Sequence, residues 1–142
     1  LFRSPGIRND IPEFNRAVEK GAILCSEMEL FFSLCPATKI AVTGSDGKTT
    51  TTTLIAKLLE AQGYKVWLGG NIGVNLFATL DDITENDYAV IELSSFQLMK
   101  LSQSPDIAVI TNVAPNHLDW HIDMQEYLMG LFPLSLSYRP VA

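Results

Sequence analysis

T-G-S-D-G-K-T-T-T-T-T, Thr43 to Thr53, sets two glycines, one lysine and an unbroken run of threonines between an apolar run and a helical pattern. The apolar run, Lys39 to Thr43, reads as a strand. Thr49 to Gln62 reads as a helix with Gly63 as its stop. A strand, a glycine-bearing turn and a helix start together place several backbone N–H groups where the helix dipole attracts phosphate. Gly44 and Gly47 permit positive φ and close approach. Lys48 adds a point charge, and the Thr49 hydroxyl is of the kind that ligates Mg²⁺ held by phosphates. Only Ser45 and Asp46 separate the two glycines, so this is the short G-x-x-G-K-T form of the phosphate loop. The plainer alternative is a glycine turn capping an amphipathic helix; a strand before and a helix after favour nucleotide. The hydroxyls of Thr51, Thr52 and Thr53 lie past the first turn and are expected to bond i−4 carbonyls rather than a ligand.

Outward from this loop, Lys65 to Leu68, Tyr88 to Leu93 and Ile107 to Thr111 are further strand-like runs separated by helical patterns. That alternation predicts an α/β fold with a parallel sheet. A-V-I and I-A-V-I are apolar at successive positions, as in strands covered by helices on both faces. In the first helix Leu54, Ile55, Leu58 and Leu59 are expected on one side. A weaker helical stretch spans Val74 to Leu80. Another runs from Ser94 to Leu101, with Ser94 and Ser95 able to cap it and Pro105 barring its extension. Residues 1 to 37 break the rhythm: Ser4-Pro5-Gly6 and Asn9 to Pro12 are turn chemistry, Asn15 to Glu19 and Glu27 to Leu34 are helical, and Ala22 to Leu24 could be a strand. They read as the tail of a preceding unit joined to the sheet domain near Pro36.

A chain of 142 residues, 47% hydrophobic and 18% charged, can bury a real core. Its formal charge of −6, without a cluster of Lys or Arg, leaves no electrostatic footprint for nucleic acid or an anionic membrane surface. No apolar run approaches the roughly 20 residues of a membrane-spanning helix. Cys25 and Cys35 lack metal-ligand spacing, so reduced thiols in a cytoplasmic protein are expected; a monomer is expected as well. The start at Leu1, running at once into R-S-P-G-I, reads as the interior of a longer protein.

In an open parallel sheet, ligands collect beyond the carboxyl ends of the strands. Glu92 closes A-V-I-E there, at the end of a strand otherwise too apolar for a charge, and Mg²⁺ would compensate it. A strand-end Glu reaching solvent is the alternative, which the upstream loop disfavours. N-H-L-D-W-H, Asn116 to His121, follows the last strand, and His117 is the ligand-facing choice among His117, Asp119 and His121. Zinc is the weaker idea in a site rich in oxygen. G-G-N-I-G, Gly69 to Gly73, follows the second strand and offers backbone approach together with the Asn71 amide.

Taken in order and spacing, T-G-S-D-G-K-T-T-T, G-G-N-I-G, E-L-S-S-F-Q-L and N-H-L-D-W-H resemble the Mur ligases of peptidoglycan synthesis. E-L-S-S-F-Q-L is similar to the D-glutamate-adding branch, and S-P-G-I and S-E-M-E-L to the end of that branch's N-terminal domain. The resemblance covers about residues 1 to 128. It implies an ATP-dependent, amide-forming ligase that joins D-glutamate to UDP-N-acetylmuramoyl-L-alanine through an acyl phosphate. It further implies that Gly44, Ser45, Asp46, Gly47, Lys48, Thr49 and Thr50 hold the ATP phosphates, and that Lys48, Glu92 and His117 are catalytic. Thr49, Glu92 and His117 are implied to ligate Mg²⁺, with Asn71, Ser94 and Gln97 near the nucleotide-sugar. On this pattern residues 1 to 37 are the end of a uridine-binding, Rossmann-like domain with its linker. Residues 38 to 142 are then an incomplete phosphate-loop ATPase core, and the isolated chain is expected to catalyse nothing.

Two departures stand out. Asp46 occupies a position where the family usually has asparagine, so its side chain is expected to point away from phosphates. No lysine follows Lys100, although the family carries a metal-ligating carbamoylated lysine downstream, and residues 131 to 142 are unlike the family. A folylpolyglutamate synthase-like ligase, a stand-alone nucleotide-binding module and a degenerate relic whose loop only caps a helix remain the competing readings.

Overall fold

Ile40, Ala41 and Val42 are all buried, although successive side chains of a strand point to opposite faces. Both faces of the central strand are therefore covered, as the continuous apolar run requires. The computed structural model describes residues 1–3, 7, 11–98 and 101–114. Its elements are α1 (Pro12–Glu19), α2 (Glu27–Leu34), β1 (Thr38–Thr43), α3 (Lys48–Ala61), β2 (Val66–Gly70), a 3₁₀ helix (Leu76–Asp82), β3 (Tyr88–Glu92), α4 (Ser95–Leu98) and β4 (Ile107–Ile110). The strands form one sheet in the order β2-β3-β1-β4, with every pairing parallel. Register sets Val42 beside Glu92, Gly70 beside Glu92, and Thr43 beside Ile110, so the four carboxyl ends share one edge.

The two faces carry different cores. Ile40 and Val90 pack with Ala56 of α3, joined by Ile55, Leu59, Val66 and Leu68. Ala41, Ala89 and Ile91 point the other way, onto Phe31 and Phe32 of α2, Leu76 of the 3₁₀ helix, Leu93 and Leu98. Helix α2 is fixed at its start by a capping box. The Ser26 N–H donates to Glu29 Oε2 at 2.8 Å, and the Glu29 N–H donates to Ser26 Oγ at 3.2 Å.

Several local expectations are corrected. Leu54 and Leu58 of α3 do not join Ile55 and Leu59 on the buried side; they are 55% and 59% exposed. The helix turns its small residues, Thr52 and Ala56, against the sheet, which lets its backbone approach more closely than a leucine face would. Strand β2 continues through Gly69 and Gly70 instead of stopping at Leu68. Ala22 to Leu24 form no strand, and among the described residues that region pairs through a bridge between Phe2 and Cys25. The stretch after Val74 is a 3₁₀ rather than an α-helix and begins at Leu76, where the Asn75 side chain accepts from the Ala78 N–H. Strand β4 is not covered on both faces: Ile107 and Ile110 are each 48% exposed, on a strand that has a neighbour, β1, on one side only among the described residues. Cys25 and Cys35 are free thiols, and burial pushes the Cys35 thiol up. No helix of the described residues is long and apolar enough to cross a membrane.

At the opposite, amino-terminal edge, buried Asp87 ties β2 to β3. Its Oδ2 accepts from Trp67 Nε1 at 2.9 Å and from the Thr84 N–H at 3.0 Å, while its Oδ1 accepts from the Thr84 hydroxyl at 3.0 Å. Lys65 lies 3.9 Å from the carboxylate and over the Trp67 ring. The Trp67 bond first, then Thr84 and Lys65, hold this carboxyl below the usual aspartate range. A carboxyl with a depressed folded pKa stabilises the fold above its unfolded value, near about 3.9, and the contribution is lost as pH falls through the folded pKa. Thermal melts of wild type and Asp87→Asn should therefore differ most at neutral pH and converge as the pH drops toward 3. A difference in midpoint that stays constant over that range would show that the charge contributes nothing.

Candidate functional site

Between β1 and α3 the chain turns through Gly44 and Gly47, both at positive φ, 131° and 77°. A side chain at Gly44 would place a Cβ 2.2 Å from Thr111 Oγ1 and 2.8 Å from the Asn112 carbonyl, so only glycine fits. Among the described residues, nothing lies within 4 Å of a Cβ position at Gly47. Gly47 is the N-cap of α3 in the left-handed conformation and supplies no side-chain cap. The N–H groups of the first helical turn, at Lys48, Thr49 and Thr50, consequently have no intrahelical acceptor. Lys48 Nζ donates to the carbonyls of Gly44 and Ser45 at 2.7 and 2.9 Å, leaving one of its three donors. A cation, a helix N-terminus and open space above a glycine together form a place for a polyanion.

Thr52 behaves as expected from its position past the first turn. It is buried, and its hydroxyl donates to the Lys48 carbonyl at 2.7 Å rather than facing a ligand.

The end of β3 brings Glu92 beside this loop. Glu92 is only 3% exposed, and among the described residues its carboxylate has a single partner, the Thr49 hydroxyl, which donates to Oε2 at 2.8 Å. No cationic side chain of the described residues forms a salt bridge with it. A buried carboxylate with one neutral donor is costly unless positive charge arrives from elsewhere. Its donor set is a hard carboxylate oxygen and a hydroxyl, the type Mg²⁺ prefers, and Mg²⁺ commonly takes one or two carboxylates with substrate phosphates completing its shell. The described residues contain no cluster of three His, Cys, Asp or Glu, so nothing here resembles a cage made of protein ligands alone.

The residues expected near a second substrate are divided. Gln97 lines a cavity of about 120 Å³ with Arg3, Met28, Phe31, Gly70 and Asn75 among its walls. Ser94 and Gln97 pair with one another: Gln97 Oε1 accepts from the Ser94 N–H at 2.9 Å and from its hydroxyl at 3.1 Å, capping α4. That leaves the Gln97 amide N–H₂ as donor, while Ser94 does not line the cavity. Asn71 is exposed, and its backbone N–H donates to the Glu92 carbonyl at 2.9 Å, fixing the start of its loop against the end of β3. His117, Asp119 and His121 lie outside the described residues. Asp46 is exposed, and its N–H donates to Asn112 Oδ1 at 2.8 Å. Sequence reasoning missed the buried guanidinium of Arg3 at the cavity, for which the sequence carries no signal, and the pair Thr111 and Asn112, whose polar side chains directly after an apolar strand were the available clue.

A family model for the Mur ligase middle domain matches residues 42–134. UDP-N-acetylmuramoylalanine--D-glutamate ligase of Acetivibrio thermocellus is 60% identical over 128 residues, 90% of this chain and 28% of its own length. The protein of the same name from Clostridium kluyveri is 60% identical over 130 residues, 92% of this chain and again 28% of its own. The chain thus spans about 28% of the length of these curated relatives. Among solved structures, UDP-N-acetylmuramate:L-alanyl-gamma-D-glutamyl-meso-diaminopimelate ligase (MPL) from Neisseria meningitides superposes with a TM-score of 0.61 over 94% of this chain and 47% of that one. At 18% identity this is a likeness of fold. With the match spanning β1's end, the glycine loop, α3 and the remaining strands, the chain belongs to the Mur ligase family.

Proposed function

We propose that this chain is the nucleotide-binding part of an ATP-dependent ligase that adds D-glutamate to UDP-N-acetylmuramoyl-L-alanine by way of an acyl phosphate. The observation that carries the proposal is the buried Glu92 carboxylate, bonded among the described residues only to Thr49 of the first turn of α3, next to Lys48 in sequence. The task in such a reaction is to neutralise charge on a transferring phosphoryl group and to align two anions. The Gly44–Thr50 loop holds the phosphates, with Lys48 as their point charge. Thr49 and Glu92 would hold Mg²⁺, with His117 as a further ligand; when bound, the ion supplies charge neutralisation. Asn71, Ser94 and Gln97 are assigned to the nucleotide-sugar, and the cavity lined by Gln97 supports that placement for Gln97 alone. Residues 1–37 belong to the unit that holds the uridine group, and the protein works as a cytoplasmic monomer.

The names of the relatives favour this substrate pair, although they describe proteins more than three times as long. Ligation itself is accordingly assigned to a longer polypeptide, and nucleotide binding to this chain. Isothermal titration of the intact 142-residue chain with ATP, with and without Mg²⁺, tests the assignment. Mg²⁺-enhanced binding without D-glutamate-dependent phosphate release is expected. Absence of ATP binding under both conditions overturns the nucleotide assignment, and robust D-glutamate-dependent turnover overturns the division of labour.

A further inference from the structure

The glycine loop is braced by the residues that follow β4, the strand paired with β1. The Ser45 N–H donates to the Asn112 carbonyl at 3.1 Å, and the Asp46 N–H donates to Asn112 Oδ1 at 2.8 Å. The Thr111 hydroxyl donates to the Asp46 carbonyl at 2.6 Å, and its oxygen also lies 3.2 Å from the Thr43 carbonyl oxygen. Ser45 Oγ donates to the Ala114 carbonyl and accepts from the Ala114 N–H, both at 2.8 Å. Gly44 lacks a side chain where Thr111 presses against it. The carbonyls of Gly44 and Ser45 accept from Lys48. Every backbone polar group in the front half of the loop, from the Gly44 carbonyl to the Asp46 carbonyl, is thus satisfied within the protein. Beyond it, among the described residues, Gly47 lies open and the N–H groups of the first turn of α3 have no intrahelical acceptor.

We propose that Thr111 and Asn112 are positioning residues for phosphate capture: Asn112 occupies the N–H groups of Ser45 and Asp46 while the Thr111 hydroxyl holds the Asp46 carbonyl, and together they restrict phosphate to the N–H groups of Gly47, Lys48, Thr49 and Thr50. The role rests on the phosphate-binding function proposed above. It makes the loop a rigid brace followed by a receptive half, rather than a uniformly receptive ring. It also removes Asp46, whose carboxylate would repel phosphate, from the receptive half. Preorganisation of this kind lowers the ordering cost that a mobile loop would incur on binding.

The test is ¹H–¹⁵N NMR of the whole chain titrated with Mg²⁺–ADP, read amide by amide. In wild type, the resonances of Gly47 to Thr50 should move most, while the Asp46 amide stays protected from solvent exchange. Thr111→Val, which removes the hydroxyl at constant shape, and Asn112→Ala should each weaken binding about tenfold, the effect of one or two hydrogen bonds. Thr111→Ser should return the affinity to within about twofold of wild type, since the hydroxyl is retained. In Asn112→Ala the Asp46 amide should lose protection and begin to respond to nucleotide, a change that general destabilisation would not produce at one amide.

Wild-type affinity in both Thr111→Val and Asn112→Ala, or an Asp46 amide that moves most in wild type, overturns the positioning role alone. A wild-type chain in which no amide responds overturns the phosphate-binding function along with it. Should a variant fail to fold, the protection and response of Asp46 in wild type still decide between the two halves of the loop.

Discussion

Lys48→Ala is expected to weaken Mg²⁺–ATP binding by roughly a hundredfold, with the fold intact. Two contributions combine. The ammonium is the only cation that the described residues place on the loop, and a charge-assisted bond to a phosphate oxygen contributes about 1.5–3 kcal/mol, or roughly tenfold to a hundredfold in affinity. The same ammonium bridges the carbonyls of Gly44 and Ser45, so its loss also loosens the turn that aims the first-turn N–H groups. Lys48→Arg separates the contributions, because it keeps the charge but not the compact geometry that reaches both carbonyls. Titration calorimetry on the three proteins, with circular dichroism as the control for folding, reads both. Unchanged affinity in Lys48→Ala would reduce the loop to a helix cap and leave Glu92 without a nucleotide partner.

The parts of this site that could be read from the sequence are those encoded in contiguous residues. The glycine loop is legible because its spacing, the strand before it and the helix after it all lie within Lys39 to Gln62, and the structure places β1 and α3 at those positions within a residue. Glu92 is legible because a charge closing A-V-I-E conflicts with its surroundings, and the structure buries it beside Thr49, 43 residues away. The side of α3 that packs was misread because Leu54 and Leu58 outweigh Thr52 and Ala56 in hydrophobicity, whereas close approach to a sheet favours the smaller pair. Exposure of β4 could not be foreseen, since a run such as I-A-V-I has the same composition at an edge as at a centre. The brace from Thr111 and Asn112 was hidden for a different reason: its bonds span 65 and 66 residues, and only the parallel register of β1 and β4 brings the two loops together. Ser94 and Gln97 illustrate an ambiguity that persists in the fold. S-x-x-Q is a capping box by chemistry, and the same Gln97 that closes the cap also lines the cavity.

Glu92→Gln should separate Mg²⁺ from nucleotide. Glutamine keeps the shape of the side chain, and its amide oxygen can still accept from the Thr49 hydroxyl, so the local packing survives. What disappears is the negative charge. In wild type that charge is buried with one neutral partner, an arrangement that disfavours folding unless a cation compensates it. Two opposite effects follow. Without Mg²⁺ the variant should melt no lower than wild type and should bind ATP at least as well, because an uncompensated charge beside the phosphates has gone. With Mg²⁺ the order reverses: the enhancement of ATP affinity by the ion should shrink by about tenfold or more in the variant, the effect of losing one hydrogen-bonding charged group. The melting temperature gives an independent reading, since a ligand that binds only the native state raises it by mass action; Mg²⁺ with ATP should therefore lift the wild-type midpoint further than that of the variant. If the ion enhances both proteins equally, Glu92 is a buried strand-end carboxylate satisfied by Thr49, and the Mg²⁺ site must be built from other residues. If Glu92→Gln loses ATP affinity in the absence of the ion, the carboxylate instead holds the loop's shape through Thr49, and Thr49→Val should then reproduce the loss.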